Sequence, residues 1–151
     1  MSEENNKVIK PEIGLDVRAP RPQINLTREL PKPNAYALAL DHEYKEIAFN
    51  EERAPLNKGH WRDLVFKVSN EIELDVEVGT GAGHHFAHHA RKYPERCLVG
   101  LELKYKPLIQ TIRRAKLGGG VHNAICRFPA FKLDQLFADG EVNNLYSHSQ
   151  D

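Results

Sequence analysis

Hydrophobic and polar positions divide this chain into a patternless beginning and a strand–helix alternation. Residues 1–33 show no apolar periodicity and hold five of the nine prolines: Pro11, Pro20, Pro22, Pro31 and Pro33. That stretch reads as a flexible, Pro-rich N-terminal arm. Asn34 suits a helix cap, and Tyr36, Leu40 and Tyr44 follow at i, i+4 steps, predicting a helix through about Phe49. Residues 50–59, with Pro55 and Gly59, read as a loop. Trp61, Leu64, Val65 and Val68 then fall at i, i+3, i+4, i+7, which predicts a short amphipathic helix with Trp61 in the core.

The register changes next. Leu74-Asp75-Val76-Glu77-Val78 alternates with period two and stops at a glycine, so it predicts a strand. Gly83 to Lys92 reads as a helix ended by Tyr93-Pro94. Cys97 to Leu101 is a short apolar run, hence a buried strand. A helix follows with Pro107 in its first turn, a buried stripe of Leu108, Ile109, Ile112 and Ala115, and a stop at Gly118-Gly119-Gly120. His122 to Cys126 predicts a third strand, Phe131 to Phe137 a short helix, and Val142 to Tyr146 a fourth strand. Such alternation implies an α/β fold: a parallel sheet of four strands, right-handed crossovers and helices on both faces, within one domain over 34–151.

Composition narrows the class. Hydrophobic residues make up 40% and charged residues 28%, values that exclude a wholly disordered chain. No apolar run approaches the roughly 18 residues of a membrane helix. The acidic, polar start MSEENNKVIKPE lacks the apolar centre of a secretory signal. Two cysteines, Cys97 and Cys126, cannot make a disulfide framework and sit in apolar strands, so buried thiols in a reducing cytoplasm are expected. Twenty-one basic residues balance 21 acidic ones, so no global field selects a partner. Locally the charge is uneven. Glu71 to Gly83 holds four acids and no Lys or Arg, whereas His84 to Lys132 holds ten Lys or Arg against Glu95 and Glu102. The contrast points to one cationic and one anionic ligand, or to ordinary solvated helix faces.

The loop Glu77-Val78-Gly79-Thr80-Gly81-Ala82-Gly83 is the main chemical signal. A nucleotide-hydrolase phosphate loop requires Gly-Lys-Ser/Thr, and here Gly83 precedes His84-His85. The dinucleotide fingerprint also fits poorly, because Gly81 and Gly83 are two apart where it needs three. A Glu-x-Gly-x-Gly-x-Gly loop for S-adenosylmethionine fits better. The carboxylate of Glu77 suits a cationic amino-acid end and disfavours a pyrophosphate. Glu102 closes the next strand, 19 positions after Gly83, where an acid for ribose hydroxyls is expected. A glycine turn holding no ligand is the alternative. His84, His85, His88 and His89 form two i, i+4 pairs with no third ligand at matching spacing, so surface histidines and no resident metal are expected.

These residues resemble one family. The run Leu74 to Gly83, followed by Leu98-Val99-Gly100-Leu101-Glu102 and Arg114-Ala115, with Trp61 and Phe66 upstream, is similar to the bacterial tRNA (guanine-N7)-methyltransferases. The resemblance spans about Asn34 to Tyr146. It implies a Rossmann-like methyltransferase fold and methyl transfer from S-adenosylmethionine to N7 of a guanine in the tRNA variable loop. It places the cofactor on Glu77, Gly79, Thr80, Gly81, Gly83, Glu102 and Leu103. It places tRNA phosphates on Lys104, Lys106, Arg113, Arg114 and Lys116. Two departures stand out. Pro129 occupies the position of the family's Asp after the third strand, and Asn144-Leu145-Tyr146 leads into Ser147-His148-Ser149-Gln150-Asp151 instead of a Phe-Pro-Asp-Pro-Trp motif. A chain lacking that motif is expected to be a shortened family member, or a cofactor- or tRNA-binding remnant without catalysis. It is also expected to carry an exposed sheet edge through which copies could associate.

Overall fold

A computed structural model describes residues 24–147. Five parallel strands form one sheet: β1 (Ala48–Phe49), β2 (Leu74–Val78), β3 (Cys97–Leu101), β4 (Asn123–Cys126) and β5 (Asn144–Ser147). Their spatial order is β1-β4-β3-β2-β5. The α-helices are α1 (Ala35–Asp41), α2 (His84–Lys92) and α3 (Tyr105–Leu117). All four expected strands form, and β1 is additional.

β1 arises where a helix was expected to continue. Asn34 caps α1 by accepting from the Ala37 N–H at 2.9 Å, as its sequence position predicts. The helix nevertheless ends at Asp41, at the start of a polar Asp-His-Glu run. Ala48 and Phe49 then pair with Ile125 and Cys126. Extending α1 would expose Ile47, Ala48 and Phe49 on a broken apolar face; docking on β4 buries Ala48 and Phe49 and satisfies their backbone.

The segment Trp61–Phe66 is a wide π turn instead of an α-helix, closed by Lys67 in the left-handed region (φ 57°). Its larger number of residues per turn changes which residues turn inward. Trp61, Arg62 and Phe66 are buried while Leu64 is 54% exposed. Arg62 reaches the Ile72 and Glu141 carbonyls and the Asn143 side chain at 2.6–2.9 Å, which compensates the burial of its guanidinium. The expected helix at Phe131 to Phe137 is a 3-10 turn over Ala130–Gln135, with a break at Lys132.

Strand alternation assigns the two faces. Leu98 and Ile125 point toward the helices, packing with Phe86 and Ala90 of α2 and Leu108, Ile109 and Ile112 of α3. Val76, Val99, Leu101 and Cys126 point the other way, against Trp61, Phe66, Leu136 and Phe137. Among the described residues the three α-helices therefore share one face, and short turns cover the other. Trp61 organises that second face: its ring meets Phe49 edge-on at 5.5 Å, and Nε1 donates to the Leu136 carbonyl at 2.8 Å.

Residues 1–23 of the expected arm lie outside the described residues. The following segment is held in place. Thr27 is buried, and its N–H and hydroxyl donate to Glu51 at 2.7 and 2.8 Å.

Candidate functional site

The carboxyl ends of β2 and β3 lie side by side, with Val78 opposite Leu101. In open parallel sheets ligands bind at such strand ends. The turn after β2 is glycine-rich because its backbone needs it: φ is 71° at Gly79, 57° at Gly81 and 93° at Gly83. The three glycines do different work. A Cβ on Gly79 would meet nothing within 4 Å, so that position opens to space. A Cβ on Gly83 would stand 2.5 Å from the Thr111 Cα, so there the missing side chain lets α2 approach α3.

Protein bonds hold this turn in shape. Gly79 and Thr80 N–H groups both donate to the Leu101 carbonyl, at 2.8 and 3.2 Å. The Thr111 hydroxyl donates to the Gly81 carbonyl at 3.0 Å and lies 2.9 Å from the Thr80 hydroxyl. Thr80 is buried, so its side chain serves the turn. Arg114 Nε donates to the Ala82 carbonyl at 2.9 Å.

Glu102 directly follows β3, and each of its carboxylate oxygens accepts from a backbone N–H. Oε1 accepts from the Gly81 N–H at 2.8 Å and Oε2 from the Lys104 N–H at 3.2 Å. An ionised carboxylate offers about four lone-pair sites, so two acceptor positions remain for hydroxyl donors. Leu103 beside it is 37% exposed, and its carbonyl accepts from Arg127 Nε at 2.8 Å. Glu77 is almost fully buried, on the helix-facing side of β2. Burial alone pushes its carboxyl up to about 7. A cationic group arriving beside it would restore the ionised form.

Three features gave no sequence signal. Arg127, after β4, donates to Glu51 Oε1 and to the Asn25 carbonyl, both at 2.7 Å, and lies over the Tyr105 ring. This buried pair pins residues 25–27 beside the Leu103 segment. Asp75 is fully buried on the same face as Glu77. It is bonded to His89 Nε2 at 2.7 Å and to Asn144 Nδ2 at 2.7 Å, with Arg96 at 3.4 Å. A cleft of about 240 Å³ opens next to that network, lined by Glu77, Tyr93, Tyr146 and the α2 side chains.

The basic candidates are exposed but unequal. Lys104, Lys106 and Lys116 extend from α3 and its approach. Arg113 is engaged by the Tyr44 hydroxyl at 3.1 Å and Glu43 at 3.8 Å, and Arg114 holds the glycine turn. Both cysteines are buried, and burial pushes both thiols up, Cys97 to about 11, so neither is a nucleophile near neutral pH. Among the described residues no group of three or more His, Cys, Asp or Glu is placed to hold a metal ion, and no helix is long and apolar enough to cross a membrane.

The glycine turn with its facing acid can be set against known proteins. The chain is 60% identical over 114 residues to a tRNA (guanine-N(7)-)-methyltransferase of Bdellovibrio bacteriovorus, covering 76% of this chain and 54% of that protein. In sequence, this chain is similar to the bacterial tRNA (guanine-N7)-methyltransferases. The family members of Geobacillus kaustophilus and Brevibacillus brevis are 30% and 28% identical over 94 residues, 62% of this chain and 42% of each relative. The chain thus spans about half the length of the curated relatives it matches. A bifunctional glycosyltransferase/methyltransferase of Fusobacterium nucleatum is 25% identical over 118 residues, 18% of its length. No protein-family model matches the chain.

Proposed function

We propose that this chain binds S-adenosylmethionine and serves transfer of its methyl group to N7 of a guanine in the tRNA variable loop. One observation carries the reading. The Glu102 carboxylate closes the strand beside a three-glycine turn and is bonded to that turn at Gly81. Relationship to the tRNA (guanine-N7)-methyltransferases supplies the reaction class. A tRNA substrate implies a cytoplasmic protein.

The residues present fit that cofactor. Gly79 leaves space for close approach of a ligand to backbone. Glu102 retains acceptor sites for two sugar hydroxyls, with exposed Leu103 beside them. Glu77 offers a carboxyl that ionises when a cation neutralises the cost of its burial. When bound, S-adenosylmethionine supplies a methyl group activated by its sulfonium.

The chain's part is placement. N7 of guanine carries a free lone pair in the neutral base, so no side chain has to remove a proton before attack. Holding the two reactants in line supplies most of the acceleration such a site can give. Lys104, Lys106 and Lys116 are free on the surface to meet tRNA phosphates, while Arg113 and Arg114 would reach them only by giving up Tyr44 and the Ala82 carbonyl.

Calorimetric titration with S-adenosylhomocysteine tests the cofactor site. One-to-one binding is expected, weakened about tenfold in Glu102→Ala, the effect of losing charge-assisted hydrogen bonds. Heats indistinguishable from dilution would sink the reading. Methylation is then checked by incubating labelled cofactor with tRNA and identifying 7-methylguanosine among the digested nucleosides.

A further inference from the structure

Leu103 and Lys104 share one peptide group, and that group is held from both ends. Its carbonyl accepts from Arg127 Nε at 2.8 Å, and its N–H donates to Glu102 Oε2 at 3.2 Å. The carbonyl and N–H of a trans peptide point in opposite directions. A cation and a carboxylate therefore stand at the two ends of one dipole, and each bond polarises the peptide in the sense that strengthens the other. Glu102 continues the series, its Oε1 accepting from the Gly81 N–H at 2.8 Å. A chain of hydrogen bonds thus runs from Arg127, after β4, through the Leu103–Lys104 peptide and Glu102 to the glycine turn.

Arg127 is itself held on its other side. Nη1 donates to Glu51 Oε1 and to the Asn25 carbonyl, both at 2.7 Å, and the guanidinium lies 4.4 Å from the centre of the Tyr105 ring. The Thr27 N–H and hydroxyl donate to Glu51 as well, and that hydroxyl is 3.0 Å from the Tyr105 hydroxyl. The Arg127 and Glu51 side chains are 9% and 4% exposed, so salt screens this pair little. Arg127 thus serves Leu103, Glu51 and Asn25 at once. The fixed fork of a guanidinium can do that; a lysine ammonium is a compact point donor that cannot reproduce it.

We infer that Arg127 is a positioning residue for Glu102, acting through the Leu103–Lys104 peptide, and that docking of residues 25–27 on Arg127 tightens the proposed cofactor site. The inference rests on the cofactor reading of Glu102 and gives Arg127 no ligand contact of its own. Coupling between two sites is reciprocal, so a ligand on Glu102 in turn holds residues 25–27 down.

The test is a double-mutant cycle on the full chain, read by S-adenosylhomocysteine calorimetry. Arg127→Lys keeps a cation for Glu51 and is expected to weaken binding about fivefold. On a Glu102→Ala background the same substitution is expected to change affinity by less than about twofold, because its route to the ligand is gone. Equal weakening on both backgrounds would mark a general loss of structure and overturns the proposal, as does unchanged affinity in Arg127→Lys. Amide exchange adds a readout that needs no ligand: Lys104 and Gly81 are expected to exchange faster in the lysine variant while the amides of β2 stay slow. Thr27→Pro takes its place if Arg127→Lys does not fold. It removes both Thr27 donors, leaves Arg127 and Glu51 intact, and suits the backbone because Leu26 is already extended. Its weakening of S-adenosylhomocysteine is likewise expected to vanish on Glu102→Ala; equal weakening on both backgrounds, or none on either, overturns the proposal. If the wild type binds no S-adenosylhomocysteine, the cofactor reading falls and exchange alone decides. Faster exchange at Lys104 and Gly81 then supports the hydrogen-bond chain, and unchanged exchange removes it.

Discussion

The Gly81 N–H donates to Glu102 Oε1 across 2.8 Å, so the acid proposed to hold the sugar also sets the turn that faces it. Removing the carboxylate should therefore act twice. Glu102→Ala is expected to weaken S-adenosylhomocysteine about tenfold and to speed amide exchange at Gly81. Glu102→Gln keeps a carbonyl acceptor for Gly81, so exchange there should stay slow while affinity still falls. Fast exchange in the glutamine variant would separate the two roles and contradict the geometry.

Gly79 and Gly83 make a paired comparison. Gly83→Ala would force a Cβ to 2.5 Å from the Thr111 Cα at φ 93°, and an expected loss of roughly 2–4 kcal/mol combines overpacking and left-handed strain. Gly79→Ala has open space, so strain alone applies, about 1–2 kcal/mol. Its main effect should be on ligand affinity. Urea denaturation together with S-adenosylhomocysteine calorimetry distinguishes the two patterns.

Glu77 predicts a pH dependence with a definite sign. Its carboxyl is raised by burial from 4.5 to about 7, so between those values the folded protein binds more protons than the unfolded chain. Stability from the neutral carboxyl is complete below about pH 4.5, declines across the window and is lost above about pH 7. Glu77→Gln should flatten the denaturation midpoint against pH over that range. Affinity for a cationic ligand should rise from pH 5 to 7 in wild type, with proton release seen in buffers of different ionisation enthalpy. A slope identical in the glutamine variant would refute the assignment.

Arg127 and Glu51 form a buried pair at 2.7 Å, with side chains 9% and 4% exposed. Truncating one partner strands the other, a loss of about 3–5 kcal/mol in such pairs. Arg127→Met should lower the thermal midpoint sharply and expose residues 25–30 to proteases, because the bond to the Asn25 carbonyl goes with it. Adding Glu51→Gln should recover part of the loss. Additive effects in that double variant would argue against direct coupling.

β5 is the last strand of the sheet among the described residues, with Leu145 56% exposed. A strand edge left unpaired among the described residues can template pairing between copies. Sedimentation of the full chain is expected to depend on concentration, and Leu145→Lys to reduce that dependence. A concentration-independent monomer would remove self-association from the account.

Local pattern carried much of this architecture. The period-two run at 74–78, the apolar run at 97–101 and the stripe of Leu108, Ile109 and Ile112 each encode their own conformation through short-range geometry. A strand–helix–strand order brings parallel strand ends together, which is why residue order alone sets Glu102 beside the glycine turn. The same local rules mislead where partners are distant. Ile47 to Phe49 left the helical pattern because β4 offered pairing, and Trp61–Phe66 widened into a π turn that turned Arg62 inward.

Alternation could place Asp75 and Glu77 on one face of their strand, yet whether that face meets water or a helix depends on what packs there. Asp75 finds His89, Arg96 and Asn144, and Arg127 finds Glu51 across 76 positions. Periodicity reports a residue's own backbone and face, whereas the cost of burying a charge is met by whichever groups the packed chain brings near. The glycine turn and its facing acid were thus legible from residue order alone. The buried carboxylate network, the strapped segment at 25–27 and the aromatic cleft came into being only when sheet and helices closed on one another.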